Sequence, residues 1–114
     1  MKSLIDKKIL NSIVCVNKFN LNFKSVDLDI LCIEGEDTEV NYRFELQDIS
    51  YFFFRQENNE NEFSVIDTFF EKFNECEDVS IMHSEAMEDF WVLSFHSGIH
   101  HMIIGFRKIG LFKL

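Results

Sequence analysis

The chain contains no proline. Average usage would place about 5% of residues there, so its turns fall to Asn, Asp, Ser and four glycines. Cysteine is scarce as well: Cys15, Cys32 and Cys76 are odd in number and show no CxxC spacing. That pattern argues against a disulfide framework and suits a reducing cytoplasm. Each thiol reads as a small buried or half-buried hydrophobe. No apolar run approaches the ~20 residues of a membrane-spanning helix. Leu4 and Ile5 are followed at once by Asp6-Lys7-Lys8, which breaks any signal-peptide core, so a cytoplasmic protein is expected. Cations are missing where the anions crowd. Of 20 carboxylates, 17 lie between Glu34 and Asp89, opposed only by Arg43, Arg55 and Lys72, a net −14. Residues 1–33 carry +2 and residues 90–114 carry +3, giving −9 for the chain. Such a balance disfavours nucleic acid and favours a basic protein surface as partner.

What the chain has in quantity is phenylalanine, 14 residues against one Trp and two Tyr. Phenylalanine fits pleated, half-buried surfaces. A length of 114 residues reads as a single domain, 1–114, able to bury roughly two-thirds of its unfolded surface. Residues 3–10 suit a short N-terminal helix capped by Ser3. After it the period turns to two. Phe19, Leu21 and Phe23 alternate with polar residues, as do Val26, Leu28, Ile30 and Cys32, then Val40, Tyr42, Phe44 and Leu46. Each series predicts a strand with one apolar face. Residues 51–54 form an aromatic run suited to a strand covered on both faces, and Asp48 before it marks a bulge or bend.

Residues 63–73 leave two readings open. Val65, Ile66, Phe69, Phe70 and Phe73 fit a helical face, with Ser64 and Asp67 as a capping box. Phe63, Val65, Phe69 and Phe73 fit one side of a strand, the reading favoured by strands on either side. At the C-terminal end, residues 90–96 and 99–106 flank Ser97-Gly98. A two-residue turn there pairs His96 with Ile99, Phe95 with His100 and Ser94 with His101. Gly110 then sets off a short terminal strand, residues 111–114. The total, seven to nine short strands and a short N-terminal helix, predicts a mainly β antiparallel sandwich or strongly curved sheet. The alternative is an α+β fold with a helix at 64–75.

No constellation of catalytic type emerges. Ser94 near His101 lacks an orienting acid, since residues 90–114 contain no carboxylate. Negative neighbours raise the Cys76 thiol pKa and blunt it as a nucleophile. His83, His96, His100 and His101 are close in sequence, yet no spacing brings three of them to one zinc ion. Asp27 and Asp29 share a strand face, but the acidic loops lack the oxygen-ligand spacing of an EF-hand. No phosphate-cradling glycine loop is present. The reading is therefore a protein with no catalytic centre, metal site or cofactor, whose partner contacts come from three acidic segments. These supply Glu36, Asp37 and Glu39, then Glu57, Glu60 and Glu62, then Glu75, Glu77 and Asp78. An alternative is a calcium- or membrane-associating sandwich module.

Residues 42–53 (YRFELQDISYFF) and the tail from 90 to 114, within so acidic a β-patterned chain, carry a likeness. The whole-chain pattern resembles the small acidic β-rich immunity proteins of bacterial polymorphic toxin systems. The resemblance implies a cytoplasmic, non-enzymatic inhibitor that binds and neutralises a cognate toxin. It transfers no individual site residue.

Overall fold

The computed structural model describes residues 5–56, 63–72, 89–97 and 100–114. In chain order these form α1 (Lys7–Ser12), β1 (Ile13–Leu21), β2 (Ser25–Glu34), β3 (Thr38–Gln47) and β4 (Tyr51–Arg55). There follow β5 (Phe63–Ser64), β6 (Asp67–Lys72), β7 (Trp91–Ser97), β8 (His100–Phe106) and β9 (Lys108–Lys113). One sheet runs β5-β1-β2-β3-β9 and the other β4-β8-β7-β6, with every pairing antiparallel. The fold is the expected mainly β, sandwich-like architecture with a short N-terminal helix.

The helix lies later than residues 3–10. Asp6 is its cap, accepting a hydrogen bond from the Lys8 N–H at 2.8 Å. Ile5 precedes the cap and Leu10 follows it, and both join the core, as in a hydrophobic staple. Ser3 lies outside the described residues.

The long ribbon of β2 and β3 follows the alternation closely. Val26 faces Leu46, Leu28 faces Phe44, Ile30 faces Tyr42 and Cys32 faces Val40, all on the inner side and buried. The second sheet answers with Leu93, Phe95, Met102, Ile104 and Phe106. Burying each such side chain is worth roughly 1.5–3 kcal/mol. Phenylalanines stitch the sheets together: Phe19 of the first meets Phe52 and Phe54 of the second at 5.8 and 5.0 Å between ring centres. Phe70 stacks on Trp91 at 4.8 Å, and the Lys72 ammonium sits over the same indole.

Within the described residues the chain crosses between the sheets at two corners. Between β3 and β4, Asp48 takes φ 57°, a left-handed turn that an Asp tolerates better than most side chains. Arg107, in the return crossing from β8 to β9, donates to Asp48 Oδ2 from both Nε and Nη2. The Arg107 N–H also reaches the Gln47 carbonyl, so both crossings are tied side by side. At the other corner Val65 donates to the Val14 carbonyl in the first sheet and Ile66 to the His96 carbonyl in the second.

Several sequence expectations need correction. Residues 63–72 are strand on either side of that second corner, so across the described part the helix at 64–75 is not formed. Cross-strand pairing outweighs the local helical pattern. Phe23 is 95% exposed, because β1 stops at Leu21 and Asn22 builds a turn by accepting from Ser25 Oγ. β1 itself begins earlier, at Ile13, and its bulges after Ile13 and Val16 hide the period. The 51–54 run is covered on its inner face by the core. Among the described residues its outer side meets a satellite cluster of Tyr51, Phe90, Val92 and Ile103, and Phe53 is 40% exposed. The last hairpin pairs Ser97 with His100 and His96 with His101, in place of His96 with Ile99. That shift of register by two keeps every side chain on its expected face while changing its partner. Gly110 lies inside β9 instead of before it.

Candidate functional site

Because inner residues of β2 and β3 alternate with outer ones, the outer face of the first sheet is set by the same pattern that builds the core. It presents Asp27, Asp29, Leu31 and Ile33 from β2, and Glu39, Asn41, Arg43 and Glu45 from β3. Lys18 and Asn20 of β1 flank it on one side and Phe112 of β9 on the other. The turn joining β2 to β3 adds exposed Glu36 and Asp37, with Gly35 supplying φ +66°. From Ser25 to Gln47, seven carboxylates stand against Arg43 alone.

Across this face one row reads Lys18, Asp29, Arg43, Phe112, and the next Asn20, Asp27, Glu45, Gly110. The Arg43 Nε donates to Asp29 Oδ1 at 3.1 Å. That bond, followed by the Asp29, Asp27 and Glu45 charges, holds the guanidinium even more firmly protonated than usual. Asp27 and Glu45 face each other directly, an arrangement of like charges that works against pairing. Lys18, Asn20, Asp27, Asp29 and Arg43 line a concavity of about 200 Å³ on this face. Phe112, 49% exposed, is the aromatic beside it. Its ring lies over Gly110, where an added Cβ would meet Phe112 Cε2 at 3.0 Å.

At the hairpin end, the Tyr42 hydroxyl donates to Glu34 Oε1 at 2.7 Å. That bond, with burial and the Glu34 charge, pushes the Tyr42 hydroxyl up to about 12, so it stays a neutral donor. These two residues, with Asp6, Lys8, Ile9 and Ser12, line an open cleft of about 460 Å³ beside α1. Cys15 and Cys32 are buried, and burial pushes the Cys32 thiol up.

Of the sequence-predicted contact residues, Glu36, Asp37 and Glu39 come together at the tip of the β2–β3 hairpin, all exposed. Glu57, Glu60, Glu62, Glu75, Glu77 and Asp78 lie outside the described residues, as do Cys76 and His83. The strand carboxylates Asp27, Asp29 and Glu45 were not in the predicted set, although their outward positions follow from the alternation. Phe112 had no sequence signal, since nothing in 109–114 tells which apolar side chain faces out. Ser94 faces Ile103, not His101, while His96 faces His101 directly. Among the described residues, no three His, Cys, Asp or Glu side chains are grouped to hold a metal ion. Likewise, no helix there is long and apolar enough to cross a membrane. No protein-family model, curated protein or solved structure matches the chain.

Proposed function

We propose that this protein is a non-enzymatic binding protein that docks the acidic outer face of its first sheet on a basic partner. In the fullest form of this reading it is an immunity protein that neutralises a cognate bacterial toxin. The observation that supports the reading is the grouping of Asp27, Asp29, Glu36, Asp37, Glu39 and Glu45 along one ribbon, beside the exposed Phe112. A toxic nuclease needs a basic cleft for phosphate. An anionic strand face steers toward such a cleft and blocks it. A standard interface of about 1,600 Å² is within reach of a five-stranded face. Its affinity would come from a few anchors, of which Phe112 and the Asp29–Arg43 pair are the best placed.

The test is affinity capture from the native host at 50 and 500 mM salt, where the Debye length falls about threefold. The bait is the full chain, alone or with Asp27→Lys and Glu45→Lys together. A basic protein is expected at low salt with the unaltered bait, and is lost at high salt or with the double variant. Co-expression should then suppress that protein's toxicity only with the unaltered chain. Recovery of the same proteins by both baits removes the docking face, and a captured protein that is harmless to the cell removes the immunity role.

A further inference from the structure

The outer face of the second sheet carries a different chemistry. One row across it reads Asp67 of β6, His96 of β7, His101 of β8 and Arg55 of β4, each paired with the next. The two imidazoles stand opposite each other with ring centres 4.7 Å apart and planes at 71°. Phe69 meets the His96 ring edge-on at 5.3 Å and restricts its rotation. Ser94 is two residues from His96 along the same face of β7. Its buried Oγ has no hydrogen-bond partner among the described residues.

We propose that His96 and His101 form a two-imidazole site for a borderline divalent transition metal such as Ni²⁺ or Cu²⁺. Imidazole nitrogens bind these ions at about 2 Å. Two imidazoles that share one ion at right to tetrahedral angles then hold their ring centres about 4.5–5.2 Å apart, a range that includes the observed spacing. Rotation about each metal–nitrogen bond leaves the angle between ring planes free. The antiparallel pair fixes both backbones opposite each other before binding, which lowers the ordering cost. The remaining positions go to water. Asp67 supplies a neighbouring negative charge and Arg55 an opposing one, so selectivity rests on ligand softness. Nitrogen ligands favour Cu²⁺ and Ni²⁺ over the hard, oxygen-seeking Ca²⁺ and Mg²⁺.

Calorimetric titration of the full chain with nickel chloride tests this. One ion per chain is expected, with calcium chloride giving no heat. His96→Gln and His101→Gln should each weaken nickel binding roughly tenfold or more, since even the loss of an outer-shell partner costs 10–100-fold. The pair of substitutions should abolish it, while the joint substitution His83→Gln and His100→Gln should leave it intact. Should a variant fail to fold, substoichiometric Cu²⁺ added to the unaltered protein must broaden the His96 and His101 ring resonances first. Nickel binding that survives in the His96→Gln, His101→Gln chain overturns the site. So does the absence of heat at millimolar nickel, or copper broadening centred elsewhere.

Discussion

One substitution made at two positions separates what the first sheet does for folding from what it does for binding. Phe44 and Phe112 lie on neighbouring strands, offset by a single residue pair, because Arg43 is the register partner of Phe112 and Leu111 that of Phe44. That offset puts them on opposite faces. Phe44 is 0% exposed in the centre of the core, between Leu28 and Leu111, whereas Phe112 is half in solvent. Phe44→Ala removes a whole buried ring from a packed interior, at a cost of about 3–5 kcal/mol in transfer and cavity terms. A 114-residue domain has a total stability of roughly 6–17 kcal/mol, so this variant is expected to fold yet be badly weakened. With a urea slope near 1.5 kcal/mol/M, its midpoint should drop by about 2–3 M. Phe112→Ala gives up only a half-exposed ring and should cost less than about 1 kcal/mol, moving the midpoint by under ~0.7 M. Binding should show the reverse order. Folded Phe44→Ala protein should hold the partner nearly as well as the unaltered chain, and Phe112→Ala should bind at least tenfold more weakly. Equal urea midpoints for the two variants would refute the facing assigned to this sheet. Undiminished binding by Phe112→Ala would refute its role as an anchor.

Three further outcomes follow. Tyr42→Phe should cost about 1 kcal/mol through loss of the bond to Glu34. Because the folded hydroxyl titrates higher than the ordinary 10, the protonated tyrosine favours the folded state. That contribution is complete below pH 10 and fades as pH climbs through about 12, so urea midpoints of the unaltered and Tyr42→Phe chains should converge over that window. At the first corner, Asp48→Asn should be nearly neutral. Asp48→Val should cost about 1–2 kcal/mol in thermal melts, since a β-branched residue resists φ 57°. Peptide mapping after brief alkylation should find Cys15 and Cys32 unmodified in the folded protein and both modified in urea, as their burial dictates.

The fold was legible wherever one face is buried and the other wet. In β2 and β3, inner Val, Leu, Ile and Phe alternate with outer Asp, Glu, Asn and Arg, so strand and facing follow together. The same alternation fixes Asp27, Asp29 and Glu45 as outward, which made half of the candidate face readable in principle. Legibility fails where the apolar pattern has other causes. Bulges in β1 shift the phase between Val16 and Lys18, and Phe23 is carried into a turn by Asn22. In 63–72 the chain leaves one sheet for the other at Val65, a tertiary event with no local signature. The last hairpin shows how a sequence with both strands apolar fixes facing but not register. Phe112 was hidden for the related reason that Ile109, Leu111 and Phe112 are equally apolar.

The central claim is that the acidic outer face of the first sheet steers the protein onto a basic partner. The most direct measurement is the association rate of the captured partner with the unaltered chain and with the Asp27→Lys, Glu45→Lys chain, at 50 and 500 mM salt. Steering by this face predicts a rate that falls tenfold or more with salt for the unaltered chain, and a slow, salt-insensitive rate for the variant. Rates that are equal for the two chains, or that ignore salt in both, would contradict it.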